Sequence, residues 1–341
     1  MRVLHVHDCW PVTGDLVRGL KMLGVEAEIF EPTIGTYQAS KLRRAALPII
    51  RTWESYRLRK LIHYKQFDIV HVHYARHAYM TLLTGIPYFL HCHGSDLRLD
   101  LRRPGLRELV KLAIRKAQKV FYVTPDLSKY FTDIRDDSVF LPNPVNLAQF
   151  VFVPGEKEPL PRILCISKLD QFKGVEHTLR TIELVWYTRP QTEVAVFNFG
   201  NSDEAKSFIE EHRQDSRLIL LPRTQHTEMP ALIRSFTVVL GQQSQEVGAL
   251  GVSELEAMAC GKPVVCYYDY PEAYPEPPPI LVSRSPEEAS AQIIRLLDDA
   301  NLRQNLGVAA RAWVSKYHEM GQVAQVLLDH YQRYLGWNFN D

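Results

Sequence analysis

Residues 246–265 read EVGALGVSELEAMACGKPVV, a run that passes from a small-residue loop into a helix start, with carboxylates on both sides of the junction. Gly248 and Gly251 permit close backbone approach and positive φ. The SELEAMAC run that follows is made mainly of good helix formers. A loop opening into a helix turns free N–H groups and the positive end of the helix dipole outward, which favours an anion by roughly 0.3–1 kcal/mol from the dipole alone. Ser253-x-x-Glu256 also has the form of a capping box, in which the two side chains satisfy the helix's own free N–H groups. Glu256 therefore has two readings on spacing, as a cap or as a ligand carboxylate.

Outward from this run the chain alternates. Residues 2–7 (RVLHVH), 25–30, 68–73, 87–92, 119–123 and 138–141 are short apolar runs, separated by segments long enough for helices. A polar, proline-containing stretch at 155–161 (GEKEPLP) reads as a linker. The pattern resumes at 163–166, 193–197, 218–221, 237–240, 263–267 and 279–282, then ends in a long helical tail over 287–335. Such alternation predicts parallel sheets covered by helices, an α/β fold of two open Rossmann-like domains facing a central cleft. The expected domains are 1–155 and 162–320, with 321–341 as a terminal segment.

A chain of 341 residues that is 46% hydrophobic is long enough to bury two cores. It has no run of 18 or more apolar residues, and its first residues, MRVLHVHDCW, lack the apolar core of a secretion signal. The expected localisation is cytoplasmic. Five scattered cysteines with no CxxC pair suggest reduced, buried thiols. The net charge of +1 is unevenly spread: residues 1–150 hold 22 Lys plus Arg against 14 Asp plus Glu, which is +8, leaving −7 for the rest. That asymmetry points to an anionic surface or substrate for the first domain. Between Lys41 and Lys65 stand eight basic residues and one acid, Glu54, interleaved with Ile49, Trp53, Tyr56 and Leu58. A basic amphipathic segment with aromatics suits an anionic membrane surface, reached from the cytoplasmic side. The plainer reading is a surface helix whose apolar stripe packs on the sheet, and both hold if the basic face stays exposed. No nucleic-acid-reading motif is present.

Three His-x-His pairs, His5/His7, His71/His73 and His91/His93, fall at or near strand ends of one predicted sheet. Alternate strand residues share a face, and imidazoles suit zinc, but no carboxylate or thiolate stands at a recognisable ligand spacing. Two lysines, Lys168 and Lys173, lie five residues apart in a loop between a strand and a helix. Both would reach a diphosphate as flexible cations.

The wording from Glu256 to Val265, EAMACGKPVV, resembles the donor-site signature of the retaining glycosyltransferases known as family four, which have the GT-B fold. The resemblance implies that Glu256 binds the ribose hydroxyls of a nucleotide sugar, with the backbone around Leu250, Gly251 and Val252 near its phosphates. The family usually carries a second glutamate eight residues earlier, and Gly248 stands there. Glu246 and Glu254 are also eight apart, but out of register by two residues, a step that turns a helical side chain through about 200 degrees. SKLDQFKG at 167–174 is similar to the family's Gly-Arg…Lys-Gly element, with Lys168 in the arginine position, where the bidentate fork is lost, and Lys173 in the lysine position. HCHGSD, ending at Asp96, resembles a His-Gly-Ser-Asp loop whose histidine, here His93, lies beside the reacting sugar. LPNPVN, ending at Asn146, resembles a structural turn that closes the first domain. LILLPR at 218–223 occupies the position where, in that family, the backbone faces the nucleobase, which makes Arg223 a candidate to stack on the base, and Gly14 is what remains of the family's glycine pair in the first loop. The family's glycine-containing loop is missing from the proline-rich stretch at 267–279. In the GT-B fold the final helix crosses back to the first domain, here over 321–335.

The reaction implied is departure of a nucleoside diphosphate through an oxocarbenium-like state, with a hydroxyl acceptor attacking from the same face and no protein nucleophile. Lys168 and Lys173 would meet the charge on the leaving group. The nucleotide sugar is a substrate, so neither cofactor nor metal is expected. A lipid-linked or polysaccharide acceptor is suggested by the charge asymmetry. Rival readings are a GT-B nucleotide-sugar epimerase, a non-catalytic nucleotide-sugar-binding protein, motivated by Gly248, and a metal-dependent hydrolase built on the histidine pairs.

Overall fold

The computed structural model describes residues 1–32, 46–153, 161–200 and 202–336. The linker expected at 155–161 lies outside them up to residue 160, as do the first residues of the basic stretch, Lys41 included.

Each apolar run forms a strand, within a residue or two of its predicted bounds. The first six are β1 (Arg2–Val6), β2 (Glu26–Phe30), β3 (Ile69–His73), β4 (Phe89–Cys92), β5 (Val120–Tyr122) and β6 (Val139–Phe140). The second six are β7 (Arg162–Cys165), β8 (Glu193–Phe197), β9 (Leu218–Leu221), β10 (Val238–Leu240), β11 (Val264–Cys266) and β12 (Leu281–Val282). They make two six-stranded sheets, ordered β2-β1-β3-β4-β5-β6 and β12-β11-β10-β7-β8-β9, with every pairing parallel. The central strands read as nearly continuous apolar runs because helices cover both faces of such sheets.

The chain forms two compact units, Met1–Pro144 with Met320–Asp341, and Val145–Glu319. Residues 145–153 therefore pack with the second unit. The Val145 N–H donates to the His318 carbonyl (2.7 Å), Phe150 is fully buried, and Arg311 donates to the Phe150 carbonyl (2.6 Å). The single helical tail expected over 287–335 is three helices, Pro286–Asp298, Ala300–Tyr317 and Met320–Leu335. Asp299 separates the first two and caps the second by accepting from the Leu302 N–H, the role that makes Asp a helix-start residue.

In the first unit Leu4, Val6, Val70, Val72 and Leu90 join one apolar core. The alternate residues on these strands are His5, His71, His73 and His91, all buried, so the sheet's other face carries imidazoles. Strand register sets His5 beside His71 and His73 beside His91. The helix Met320–Leu335 covers part of this face, placing the Tyr331 hydroxyl 2.6 Å from His71 Nδ1. That helix also packs on the helix Val12–Met22 so closely that a Cβ on Gly19 would stand 2.6 Å from both the Ala324 Cβ and the Met320 carbonyl oxygen.

Candidate functional site

In the second unit, the loops after β7 and β10 meet the start of the helix Val252–Ala259. Asp170 accepts from the Lys173 N–H (2.9 Å), and Gly174, at φ +76°, opens the helix Val175–Thr188. A Cβ on Gly174 would lie 2.4 Å from the Gln243 carbonyl oxygen, so glycine is required there on conformational and steric grounds together. Glu254 joins these pieces. Its carboxylate is buried and accepts from the Gly251 N–H (3.0 Å), the Gln242 N–H (2.9 Å) and the Ser167 hydroxyl (2.7 Å).

Those bonds correct the capping-box reading. The helix starts at Val252, with Gly251 as N-cap and Glu254 as the capping carboxylate, not Ser253 with Glu256. Glu256 is free of that duty and faces elsewhere. It is 5% exposed and holds His226 Nε2 at 2.5 Å. The Gln149 amide donates to His226 Nδ1 (3.1 Å), so the Nε2 proton of a neutral His226 is the one that points at Glu256.

The Lys173 ammonium lies 3.6 Å from the point where a Gly251 Cβ would be. It is half-buried and has no hydrogen-bond or ion-pair partner among the described residues. Lys168 is exposed, with its stem along Gly200. Arg223 is exposed beyond β9, also without a partner among the described residues. Leu250 is packed in the core, so only its backbone is available to a ligand. The Gly251 N–H belongs to Glu254, leaving Val252 as the first helical amide. Gly248 sits at φ +55°, and a Cβ there would be 3.3 Å from the Asp269 Cβ. A glutamate at that position would be strained. Glu246 instead lines a cavity of about 260 Å³ with Gly174, His177, Gln243 and Ser244.

In the first unit, three adjacent parallel strands end in left-handed residues: His7 (φ +75°) after β1, Tyr74 (φ +63°) after β3 and Gly94 (φ +107°) after β4. Non-glycine residues held there cost on the order of 1–3 kcal/mol each, and the C-terminal edge of an open parallel sheet is where ligands bind. Asp96 fixes the turn after β4 by accepting from the N–H groups of His93 (3.2 Å), Gly94 (2.9 Å) and Ala75 (3.0 Å). Burial pushes its carboxyl above the usual range while these bonds oppose the rise. Gly14 lies in the first turn of the helix Val12–Met22, where a Cβ would meet only the Arg18 guanidinium.

The imidazoles form two hydrogen-bonded rows. In one, His5 Nδ1 is 2.9 Å from His73 Nε2, and His73 Nδ1 is 2.9 Å from His93 Nε2. In the other, Tyr331 meets His71 Nδ1, and His71 Nε2 lies 3.2 Å from His91 Nδ1. Burial lowers every one of these rings, His5 and His93 to about 3. Nitrogens of His71, His73 and His91 all lie within 4.8 Å of one another. The group contains no anionic ligand; His71 Nε2 faces His91 Nδ1, both His73 nitrogens are bonded to His5 and His93, and His91 Nε2 is buried without a hydrogen-bond partner.

The structure thus gathers Lys173, Gly251 and Val252 at one helix start, with Glu256 on the second turn of the same helix. Lys168 shares the loop after β7 with Lys173 but is exposed, Arg223 stands on the loop after β9, and His93 and Gly14 belong to the first unit. Sequence reading missed His226 and Gln149, single polar residues with no spacing to mark them. Glu254 had a signal, since it stands three residues after an N-cap glycine.

Residues 11–149 match the family model described as Glycosyltransferase Family 4, and residues 148–313 match the one described as Glycosyl transferases group 1. No curated protein sequence gives a significant match. Among solved structures, sucrose-phosphate synthase from Thermosynechococcus elongatus superposes with a TM-score of 0.75 at 15% identity, over 99% of this chain and 100% of that one. Anabaena HepE in complex with UDP-glucose gives a TM-score of 0.71 at 15% identity, over 98% and 100%. The catalytic domain of Arabidopsis thaliana starch synthase IV, bound to ADP and acarbose, gives 0.69 at 12% identity, over 98% and 99%. With family models matched across residues 11–313 and two parallel-sheet units of the GT-B kind, the chain belongs to the family-four type of GT-B glycosyltransferases.

Proposed function

We propose that the protein is a retaining, metal-independent glycosyltransferase that moves a hexosyl group from a nucleotide sugar to a hydroxyl acceptor. The observation that carries this reading is the Lys173 ammonium beside Gly251, at a helix start, without a protein partner among the described residues. A cation, a helix dipole and the Val252 amide suit the diphosphate of a departing nucleotide. Glu256 takes the ribose hydroxyls while His226 steadies its other bonds. Lys168 adds a second cation to the diphosphate and Arg223 stacks on the base. His93 stands beside the reacting sugar, a role given by the family resemblance. HepE in complex with UDP-glucose supports a nucleotide sugar as donor.

Thermal stabilisation by a panel of nucleoside diphosphates and nucleotide sugars tests the donor site, with and without a chelator. A ligand at 100 times its dissociation constant adds about 2.7 kcal/mol. A shift with one base family, unchanged by chelator, is the expected result, and no shift with any member refutes the site. Product analysis with donor alone separates transfer from epimerisation. Binding without turnover on any acceptor would mark a non-catalytic binding protein.

Of the lipid-linked and polysaccharide acceptors, the lipid-linked one is supported by the surface of the helix Leu47–Lys65. No helix among the described residues is long and apolar enough to cross a membrane, but the helix Leu47–Lys65 has a two-sided character. It buries Leu58 on the core and exposes Ile49 (76%), Trp53 (52%), Tyr56 (62%) and Tyr64 (83%), with Arg59 and Lys60 on the same exposed side. Aromatics and cations on one helix face are the chemistry of an anionic lipid surface. Sedimentation with anionic vesicles and none with neutral ones is expected, and Trp53→Ser should weaken it.

A further inference from the structure

The row His5–His73–His93 ends on the histidine assigned above to the reacting sugar, so the inference rests on that assignment. A neutral imidazole has one N–H and one lone pair. Each of the two bonds in the row therefore needs a donor from one ring and an acceptor from the next, and one choice of direction settles all three rings. Protons on the Nδ1 atoms of His5 and His73 make His93 Nε2 an acceptor and leave His5 Nε2 as a bare lone pair. The opposite direction puts a proton on His5 Nε2, which is buried with no partner. Buried N–H groups without a partner are the rarer outcome in folded proteins.

We infer that His73, itself oriented by His5, is a positioning residue that fixes His93 as the neutral Nδ1–H tautomer, so that His93 offers a hydrogen-bond donor to an oxygen of the bound sugar. His93 is half-buried, and its Nδ1 has no partner among the described residues. That nitrogen is the one left for a ligand. A ring with its only lone pair directed at His73 is neither a general base nor a cation at the sugar. This suits a reaction whose charge develops at the diphosphate and needs no protein base.

Two-bond proton–nitrogen correlation on the full chain labelled with [15N]histidine reads the tautomer directly at pH 7.5. The expected pattern is a proton on His93 Nδ1 and a bare Nε2, and a proton on Nε2 overturns the inference. Two substitutions of matched size then separate positioning from packing. His73→Asn keeps an N–H donor near the Nδ1 position, whereas His73→Leu removes it. Turnover should stay within about threefold of wild type for His73→Asn and fall roughly tenfold for His73→Leu, the effect of one hydrogen bond, with the donor KM little changed. In a His93→Ala background His73→Leu should add nothing further, as double-mutant logic requires. Additive losses, equal losses for Asn and Leu, or a stoichiometric metal bound among the rings would each overturn the inference. If His73→Leu does not fold, the wild-type tautomer and the Asn variant still decide it. If no transfer occurs with any donor and acceptor, the functional reading has failed, while the tautomer measurement stands on its own.

Discussion

Lowering the pH from 7 to 5 should destabilise the first unit through its buried histidines. His5 is fully buried, and burial holds its ring near 3 in the folded protein, against an ordinary value of about 6.5 when unfolded. A folded value below the unfolded one means that the contribution is fully present above about 6.5 and is lost as pH falls towards 3. At pH 5 the unfolded ring is protonated and the folded one is not, which costs about 2 kcal/mol relative to pH 7 for this residue alone. His71, His73 and His91 are pushed the same way by the same cause. Asp96 and Asp100 act in the opposite sense, because burial raises them. Their stabilising contribution is present at low pH and fades as pH rises above about 3.8 through their folded values. Comparing wild type with His5→Phe cancels these carboxylates. Calorimetry at pH 7 and pH 5 should show a Tm drop in wild type that exceeds the drop in His5→Phe by about 4–8 °C, at roughly 2–4 °C per kcal/mol for a unit of this size. Equal drops in the two proteins would refute the reasoning, since His5 would then titrate alike in both states.

Lys173→Ala should lower kcat about a hundred- to a thousandfold, the usual loss for one donor to a developing charge, and near-normal turnover would remove the main phosphate ligand. Glu254→Ala breaks three hydrogen bonds, one to a buried and two to half-buried donors, and should lower stability by about 3 kcal/mol, read as a fall in the denaturation midpoint. Glu256→Ala should instead weaken nucleotide binding roughly 10- to 100-fold with a smaller effect on stability, and calorimetric titration separates the two glutamates. Gly19→Ala should destabilise by about 1–3 kcal/mol, because its Cβ would press on the backbone carbonyl of Met320 rather than on a side chain that can move.

The two parallel sheets were legible because buried strands announce themselves as short apolar runs, and no strand needed a distant residue to explain it. The tail was misjudged where a single residue decides the break: Asp299 stops one helix and caps the next within an apolar period that continues through both. Glu256 was legible only as a choice between cap and ligand. The cap is excluded by Gly251, whose N–H is taken by Glu254, while Glu256 faces His226. Spacing does not reveal His226, because its partner stands on another element, thirty residues on. The three His-x-His pairs were visible, and their sharing of a sheet face followed from strand period. Their joining into rows did not, since that depends on strand register, with His5 opposite His71 and His73 opposite His91.

The return of the last helix to the first unit bears on how the chain is made. The first sheet is complete in sequence by residue 140, but the helix that supplies Tyr331 begins at Met320. At about 5–20 residues per second of synthesis, the histidine face waits on the order of ten to thirty-five seconds for its cover while the second unit is produced. During that interval His71 lacks its Tyr331 partner, and Gly19 has no helix against it. The first unit to emerge is thus the last to finish folding, and a nascent chain arrested before Met320 should expose the groove along the helix Val12–Met22 to chaperones and proteases.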